Sequence, residues 1–157
     1  NECVAKWSKA LPENVAIIWA TGRGQADAFM QYEAPNVRVR PYLSPIANAY
    51  AAADLAVTRA GAMTIAELCA WGIPAVLVPL PTAAQDHQTH NAKALATAGA
   101  AVFMPQSEFT PESLDATVRE LRSRPAVLMS MAEAAVVRGR PHAAAEIAEQ
   151  ILSLVMP

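Results

Sequence analysis

Cysteine, histidine and net charge are all scarce in this sequence of 157 residues. Its two cysteines, Cys3 and Cys69, are far apart and have no CxxC neighbour. This argues against a disulfide framework and favours buried thiols in a cytosolic chain. Three histidines without ligand-like spacing argue against a structural zinc site. The net charge is −2, and without a basic excess we expect no nucleic-acid partner.

Long apolar runs and an initial methionine are also absent. No run reaches the roughly 20 residues that a membrane span needs, and no signal-peptide pattern is present. Residue 1 is Asn, and Glu2–Trp7 has the spacing of the inside of an amphipathic helix, so we expect an upstream segment. The composition, 54% hydrophobic and 17% charged, is that of one globular domain with a sizeable core.

Apolar runs alternate with helical segments through the first two thirds of the chain. Strands are predicted at 15–20, 37–40, 54–58, 75–79 and 100–104. Helices are predicted between them at 25–33, 46–53, 62–71 and 85–98, and afterwards at 111–122, 126–137 and 142–154. This order predicts βαβ units in an α/β fold, a Rossmann-like doubly wound parallel sheet. Such sheets bind ligands beyond the carboxyl ends of their strands.

Two burial expectations accompany these elements. The continuous apolar run 15–20 indicates a strand buried on both faces. Within 25–33, Ala26, Phe29 and Met30 are expected to face inward, and we expect Trp19 and Trp71 to be core residues because both lie in apolar runs.

Residues 58–67 read as the end of a strand, a small-residue turn at Gly61 and the start of a helix. Backbone N–H groups converge at such a turn, where the helix dipole adds positive potential, so the site suits an anion and above all a phosphate. The alternative is a plain strand-to-helix turn, because a single glycine is weak support for phosphate binding.

Glu67 has two interpretations. Thr64-x-x-Glu67 matches a capping box, in which both side chains satisfy N–H groups at the helix start. The other interpretation is a carboxylate that accepts both hydroxyls of a ribose, as in dinucleotide sites. Arg59 could pair with a phosphate or with a nearby carboxylate, and the sequence does not distinguish the two.

Polar side chains also cluster at 86–91, at the predicted start of a helix. The carboxylate of Asp86 and the amides of Gln88 and Asn91 suit the recognition of sugar hydroxyls. The alternative is capping of the helix by Gln85 or Asp86, followed by a solvated first turn.

In this order, the motifs at 58–67, 72–75, 78–79 and 86–92 resemble the C-terminal half of the MurG family of GT-B glycosyltransferases. The resemblance covers nearly the whole chain. It implies an inverting transferase that moves N-acetylglucosamine from UDP-N-acetylglucosamine to lipid-linked muramyl-pentapeptide, converting lipid I to lipid II in peptidoglycan synthesis. Similar C-terminal halves occur in diacylglycerol glycosyltransferases and in the small subunit of the eukaryotic dolichol-linked transferase.

The resemblance also implies roles for individual residues. The helix start would contact the diphosphate, Glu67 the ribose, the Leu43 backbone the uracil, and Gln88, with a polar neighbour, the sugar hydroxyls. The residues expected to bind the donor are Leu43, Gly61, Ala62, Met63, Thr64, Glu67, Asp86, Gln88 and Asn91.

The family's first strand and glycine-rich loop of this domain are missing here, as is its N-terminal acceptor domain. We therefore expect residues 1–157 to be a single UDP-sugar-binding domain that is inactive alone and holds no catalytic residue. No cofactor is expected, and without an Asp-x-Asp pair we expect no protein-bound metal. The family also implies peripheral contact with the cytoplasmic face of the bacterial inner membrane, largely outside this chain.

Three further functions stay open at this stage. The first is a non-catalytic UDP-sugar-binding subunit that works with a partner chain. The second is a lipid glycosyltransferase that uses UDP-glucose or UDP-galactose. The third is a UDP-sugar epimerase of the same architecture.

Overall fold

Strands and helices alternate along the chain in a computed structural model that describes residues 1–155. The strands are β1 (Ile17–Ala20), β2 (Val37–Arg40), β3 (Ala56–Thr58), β4 (Ala75–Leu77) and β5 (Ala101–Phe103). The helices are α1 (Glu2–Trp7), α2 (Ala26–Phe29), α3 (Ile46–Ala51), α4 (Ala62–Trp71), α5 (His87–Thr97), α6 (Pro111–Ser123), α7 (Pro125–Arg138) and α8 (Ala143–Val155). Each of these elements was predicted, most with small shifts at their ends, but the helix predicted at 25–33 spans only Ala26–Phe29.

All strand pairs are parallel, which confirms the predicted α/β class. β1 pairs with β2 in the register Trp19 to Val39, and β4 lies between β3 and β5, with Val76 opposite Val57 and Val102. Within residues 1–155 no strand pairing joins β1 to β3, so the five strands form two sheets.

The core lies on both faces of β4, whose three residues are fully buried. One face packs against helices α4, α5 and α7 through apolar side chains that include Leu68 and Leu95. Fully burying an aliphatic side chain stabilises the fold by about 1.5–3 kcal/mol. The three-stranded sheet therefore provides the rigid support from which the loops at its carboxyl edge project.

A separate apolar cluster forms around the β1–β2 pair. Trp19, Val37 and Val39 pack there against Ala5 of α1. The indole of Trp7, also on α1, donates a hydrogen bond of 3.0 Å to Asp115 Oδ1 and so ties α1 to α6. The predicted burial of Trp19 is thereby confirmed.

Three burial predictions are wrong. Ile18, Met30 and Trp71 are 46%, 43% and 47% exposed, although all three lie in apolar stretches. In the described residues, the apolar cluster around the β1–β2 pair encloses Trp19 and leaves Ile18 half-exposed. Trp71 is the last residue of α4, and Met30 lies where α2 passes into a short 3₁₀ turn. Neither Cys3 nor Cys69 is in a disulfide, and Cys69 is fully buried whereas Cys3 is only partly so.

Several helix ends follow the predicted chemistry. Thr110 caps α6 through its side chain, with Pro111 at the first helical position and Ser113 completing a capping box. Gly72 and Gly99 follow α4 and α5 at φ 65° and 75°, a left-handed conformation that glycine adopts without strain.

The end of α7 packs closely on α4. A Cβ atom added at Gly139 would lie 2.9 Å from the Cys69 carbonyl oxygen, so a side chain there would press on backbone. Beyond this contact α8 has no buried residue. Among the described helices none is long and apolar enough to cross a membrane.

Candidate functional site

The start of α4 is an open helix N-terminus. Gly61 is its N-cap residue, and in the described chain no side chain caps this end and no acidic residue lies in the first turn. The first hydrogen bond of the helix runs from the Ile65 N–H to the Gly61 carbonyl. The N–H groups of Ala62, Met63 and Thr64 precede it, at the positive end of the helix dipole, and therefore provide donors for an anion.

The capping-box interpretation of Glu67 is wrong. The helix begins so early that Thr64 is its third residue and Glu67 its sixth, so neither side chain can cap the helix start. Instead the Tyr50 hydroxyl donates a hydrogen bond of 2.7 Å to Glu67 Oε2. Burial, and then the hydrogen bond to Glu67, raise the pKa of Tyr50 well above its usual range, so the phenol stays protonated. The Glu67 carboxylate is thus held between α3 and α4.

Two amide side chains of α5 bind the turn that precedes α4. Gln88 Oε1 accepts hydrogen bonds from the Ala60 and Leu80 N–H groups, at 3.2 and 3.0 Å. Asn91 Nδ2 donates to the Ala60 carbonyl at 3.1 Å. Because Ala60 is fully buried, its N–H and carbonyl need these partners. The starts of α4 and α5 are therefore held side by side, which brings two of the predicted sites together.

The loop before α5 has an unusual backbone. Gln85 and Asp86 have φ values of 52° and 53°, and neither side chain caps α5, so the capping interpretation is wrong here too. Asp86 is exposed. Left-handed backbone at non-glycine residues costs free energy and clusters at functional sites. This loop thus presents the Asp86 carboxylate to solvent next to Gln88.

Arg59 binds backbone carbonyls, and among the described residues it forms no ion pair with a carboxylate. Its guanidinium donates to the carbonyls of Val78 and Pro79, both at 3.1 Å. The side chain therefore bridges the ends of β3 and β4 and stiffens the carboxyl edge of the sheet.

Leu43 lies in the loop that follows β2, at the carboxyl end of that strand, and is half-buried. Its neighbour Tyr42 is 60% exposed, with the Arg23 guanidinium 4.9 Å from the ring centroid. Among the described hydrogen bonds none joins Leu43 to α4 or α5. The structure thus places Leu43 at the carboxyl end of β2, and in the described residues no hydrogen bond ties it to the other predicted site residues.

An open groove of about 310 Å³ runs between α4 and α5. It is lined by Ala62, Ile65, Ala66, Cys69, Asn91, Ala94, Leu95 and Arg138. Two predicted site residues, Ala62 and Asn91, are at its walls. In the part of the chain that the structure describes, no group of three or more His, Cys, Asp or Glu side chains is arranged to hold a metal.

The parallel sheets, the open helix N-terminus and the polar start of α5 at one carboxyl edge define a Rossmann-like α/β domain with an anion-type site. The glycosyltransferase family 28 C-terminal domain model matches residues 1–151, and the chain belongs to this family. This confirms the family resemblance predicted from the motifs.

Individual relatives agree. The UDP-N-acetylglucosamine–N-acetylmuramyl-(pentapeptide) pyrophosphoryl-undecaprenol N-acetylglucosamine transferase of Chlorobaculum tepidum is 44% identical over 158 residues, which cover 98% of this chain and 43% of the relative. The crystal structure of Acinetobacter baumannii MurG matches with a TM-score of 0.84 and 36% identity, covering 97% of this chain and 47% of that one. The calicheamicin glycosyltransferase CalG4 shares the fold, with a TM-score of 0.74 at 23% identity, covering 99% of this chain and 40% of that one. The chain spans less than half the length of each of these proteins.

Proposed function

We propose that this chain is the donor-binding half of an inverting glycosyltransferase that transfers N-acetylglucosamine from UDP-N-acetylglucosamine to lipid-linked muramyl-pentapeptide, converting lipid I to lipid II. The observation that carries the proposal is the 44% identity to a transferase of that name across 98% of the chain. The open N-terminus of α4 beside the polar start of α5 supports it, because a nucleotide-sugar offers a diphosphate to the first and sugar hydroxyls to the second.

Each part of the donor has a proposed contact. The N–H groups of Ala62, Met63 and Thr64, with Gly61 leaving room for approach, bind the diphosphate. Glu67 accepts the two ribose hydroxyls, and the backbone of Leu43 pairs with uracil.

Fewer side-chain atoms are free to bind the sugar than the residue types alone suggest. Because both lone-pair directions of Gln88 Oε1 are taken by backbone N–H groups, only its Nε2 amine is left for a ligand. Asn91 uses one of its two Nδ2 hydrogens on the Ala60 carbonyl, which leaves the other hydrogen and Oδ1. We therefore propose that Gln88 Nε2 donates to a sugar hydroxyl and that the exposed Asp86 carboxylate or Asn91 Oδ1 accepts from one.

In the proposed reaction the acceptor hydroxyl attacks the anomeric carbon, the bond from that carbon to the diphosphate oxygen breaks, and UDP leaves with inversion. The negative charge that develops on the departing diphosphate falls at the first turn of α4, whose N–H groups and dipole stabilise it without reorganising. The proton of the acceptor hydroxyl goes to a general base, which we place outside this chain. The contribution of this half is thus donor binding and leaving-group stabilisation.

We also propose where the complete enzyme acts and which part of it binds the acceptor. The lipid-linked acceptor binds through a further domain, and the complete enzyme works at the cytoplasmic face of the bacterial inner membrane as a peripheral protein. This chain alone would then bind the donor without turning it over. The test is an assay of UDP release by the 157-residue chain in the presence of the lipid acceptor. A release rate proportional to the concentration of the chain contradicts this.

Calorimetric titration of the chain with UDP-N-acetylglucosamine, UDP-glucose and UDP-galactose tests the proposal directly. We expect the N-acetylated donor to bind most tightly. Tighter binding of UDP-glucose or UDP-galactose would instead favour a lipid glycosyltransferase or an epimerase, and no binding of any UDP-sugar contradicts the donor site altogether.

A further inference from the structure

We propose that Tyr50 is a positioning residue, whose hydroxyl orients the Glu67 carboxylate so that it accepts two hydroxyl groups of a bound ribose. The two residues lie 17 positions apart, on α3 and α4, and are joined by a hydrogen bond of 2.7 Å to Glu67 Oε2. Because the ribose contact of Glu67 is part of the proposed function, Tyr50 has this role only if that contact exists.

The geometry leaves the carboxylate free to act. An ionised carboxylate has two oxygens with about four acceptor directions, and Tyr50 occupies one of them. Oε1 and the second lone pair of Oε2 stay available for a pair of neighbouring hydroxyls. Glu67 is half-buried in the middle of α4, so its remaining acceptor directions are restricted by the surrounding helix.

Tyr50 is itself held in place. Its ring lies 6.0 Å from the Trp71 ring on α4, at an interplanar angle of 48°, and it packs against the core cluster that contains Leu68. A partly buried aromatic ring with two torsions has few alternative positions, whereas a glutamate side chain alone has several rotamers to lose on binding. A fixed hydroxyl therefore restricts the rotamers of Glu67 before the ligand binds, so less side-chain entropy is lost on binding.

The hydroxyl can only be the donor in this pair. Burial and the neighbouring carboxylate both raise the pKa of Tyr50, so the phenol keeps its proton throughout the neutral range. The direction of the bond is thereby settled: the Tyr50 hydroxyl donates and the Glu67 oxygen accepts.

α3 also links two proposed contacts. The helix follows the loop that carries Leu43, and Tyr50 lies near its end. The bond to Glu67 therefore connects the segment proposed to meet uracil with the residue proposed to meet ribose. A ligand that spans both would find them at a fixed separation.

Two nucleotides separate a positioning role from a merely structural one. UDP carries both ribose hydroxyls, and 2′,3′-dideoxyuridine diphosphate carries neither. If Tyr50 only holds α3 against α4, loss of its hydroxyl weakens the binding of both nucleotides alike. If it orients Glu67, the loss weakens the binding of UDP alone.

The experiment titrates both nucleotides into the 157-residue chain and into Tyr50→Phe, Glu67→Gln and the double variant. Tyr50→Phe keeps the ring and its packing, so thermal unfolding should change by no more than the few degrees expected for one lost hydrogen bond. We expect it to weaken UDP roughly five-fold, the effect of one hydrogen bond, and to leave the dideoxy nucleotide within about two-fold. In the Glu67→Gln background it should add nothing. Tyr32→Phe, a partly buried tyrosine in the β1–β2 cluster, is the matched control and should leave UDP affinity unchanged.

Each other outcome is decisive. Equal weakening of both nucleotides by Tyr50→Phe, or no weakening of either, overturns the positioning role while the ribose contact stands on the Glu67→Gln result. If Glu67→Gln itself leaves UDP affinity unchanged, the ribose contact in the proposed function is wrong, and the role of Tyr50 falls with it. A full additional loss in the double variant shows that Tyr50 acts independently of Glu67 and also contradicts the inference.

Discussion

Replacing Gln88 by leucine should destabilise the protein, whereas replacing it by glutamate should not. The oxygen of Gln88 accepts hydrogen bonds from the N–H groups of Ala60 and Leu80. Leucine has a similar volume but no acceptor. Glutamate retains an acceptor oxygen and lacks only the Nε2 donor that we propose for the sugar.

The size of the effect follows from the exposure of the two donors. Leu80 is 38% exposed, so its N–H can turn to water when Gln88 is lost. Ala60 is 0% exposed, so its N–H would be left buried without a partner. An unsatisfied buried donor costs about 1–3 kcal/mol, and we expect Gln88→Leu to lose that much free energy of unfolding. For a domain of this size each kcal/mol corresponds to about 2–4 °C in Tm.

Urea unfolding, followed by circular dichroism, measures this difference. Gln31→Leu is the control, because Gln31 is exposed and its amide donates to the Ala28 carbonyl, three residues earlier in the chain. It should lie within about 0.5 kcal/mol of the parent chain. A loss in Gln88→Glu as large as that in Gln88→Leu would show that the acceptor oxygen is not what matters, and a loss in Gln88→Leu no larger than in the control would refute the reasoning.

The same glutamate variant also probes the ligand. It adds negative charge near the proposed diphosphate, which weakens UDP and UDP-N-acetylglucosamine alike. The ratio of the two dissociation constants reports the contribution of the sugar alone. We expect Gln88→Glu to weaken UDP-N-acetylglucosamine more than UDP, because the Nε2 donor is lost. An unchanged ratio would remove Gln88 from the sugar site while leaving its structural role intact.

Two further predictions concern stability. The pKa of Asp115 is lowered by hydrogen bonds from Arg119 and then Trp7, so this carboxylate stabilises the fold above its unfolded pKa of about 3.9 and the gain disappears as the pH falls further. Asp115→Asn should therefore lower stability at pH 7 and flatten the acid loss in urea unfolding; an unchanged acid slope contradicts this. Gly139→Ala should cost about 1–3 kcal/mol because its Cβ meets the Cys69 carbonyl, while Gly24→Ala, which meets nothing within 4 Å, should be neutral by thermal unfolding; equal effects contradict the close contact.

The order of elements could be predicted because the sequence pattern is local. Strands such as β1 and β4 are short apolar runs, and several helix boundaries carry a glycine, a proline or a capping residue. Thr110 and Pro111 mark the start of α6, and Gly99 follows the end of α5. Such signals depend on a few neighbouring residues and not on the rest of the fold.

Burial could not be predicted in the same way. Ile18 and Trp71 lie in apolar stretches, but whether a side chain is covered depends on which elements pack over it. The two sheets are separate in the described residues, and that arrangement is not written in any short segment.

In the site, too, local signals could be predicted from the sequence, whereas contacts between helices could not. Thr64 and Glu67 have the spacing of a capping box, and only the position of the helix start excludes it. Tyr50 could not be found from the sequence, because its partner lies 17 residues away on another helix. Gln88 and Asn91 were predicted as ligand contacts, yet part of each amide binds the Ala60 backbone, which a list of polar side chains cannot reveal.

The uncapped first turn of α4 has a thermodynamic consequence. A helix end without a cap is the part of the helix that opens most easily, and in the described residues no side chain satisfies the first N–H groups of α4. An anion bound there would take the place of the missing cap. Binding of the anion and ordering of the first turn of α4 would then be thermodynamically coupled. The bound ligand would complete the start of the helix, and the stability of α4 would therefore rise with the ligand concentration.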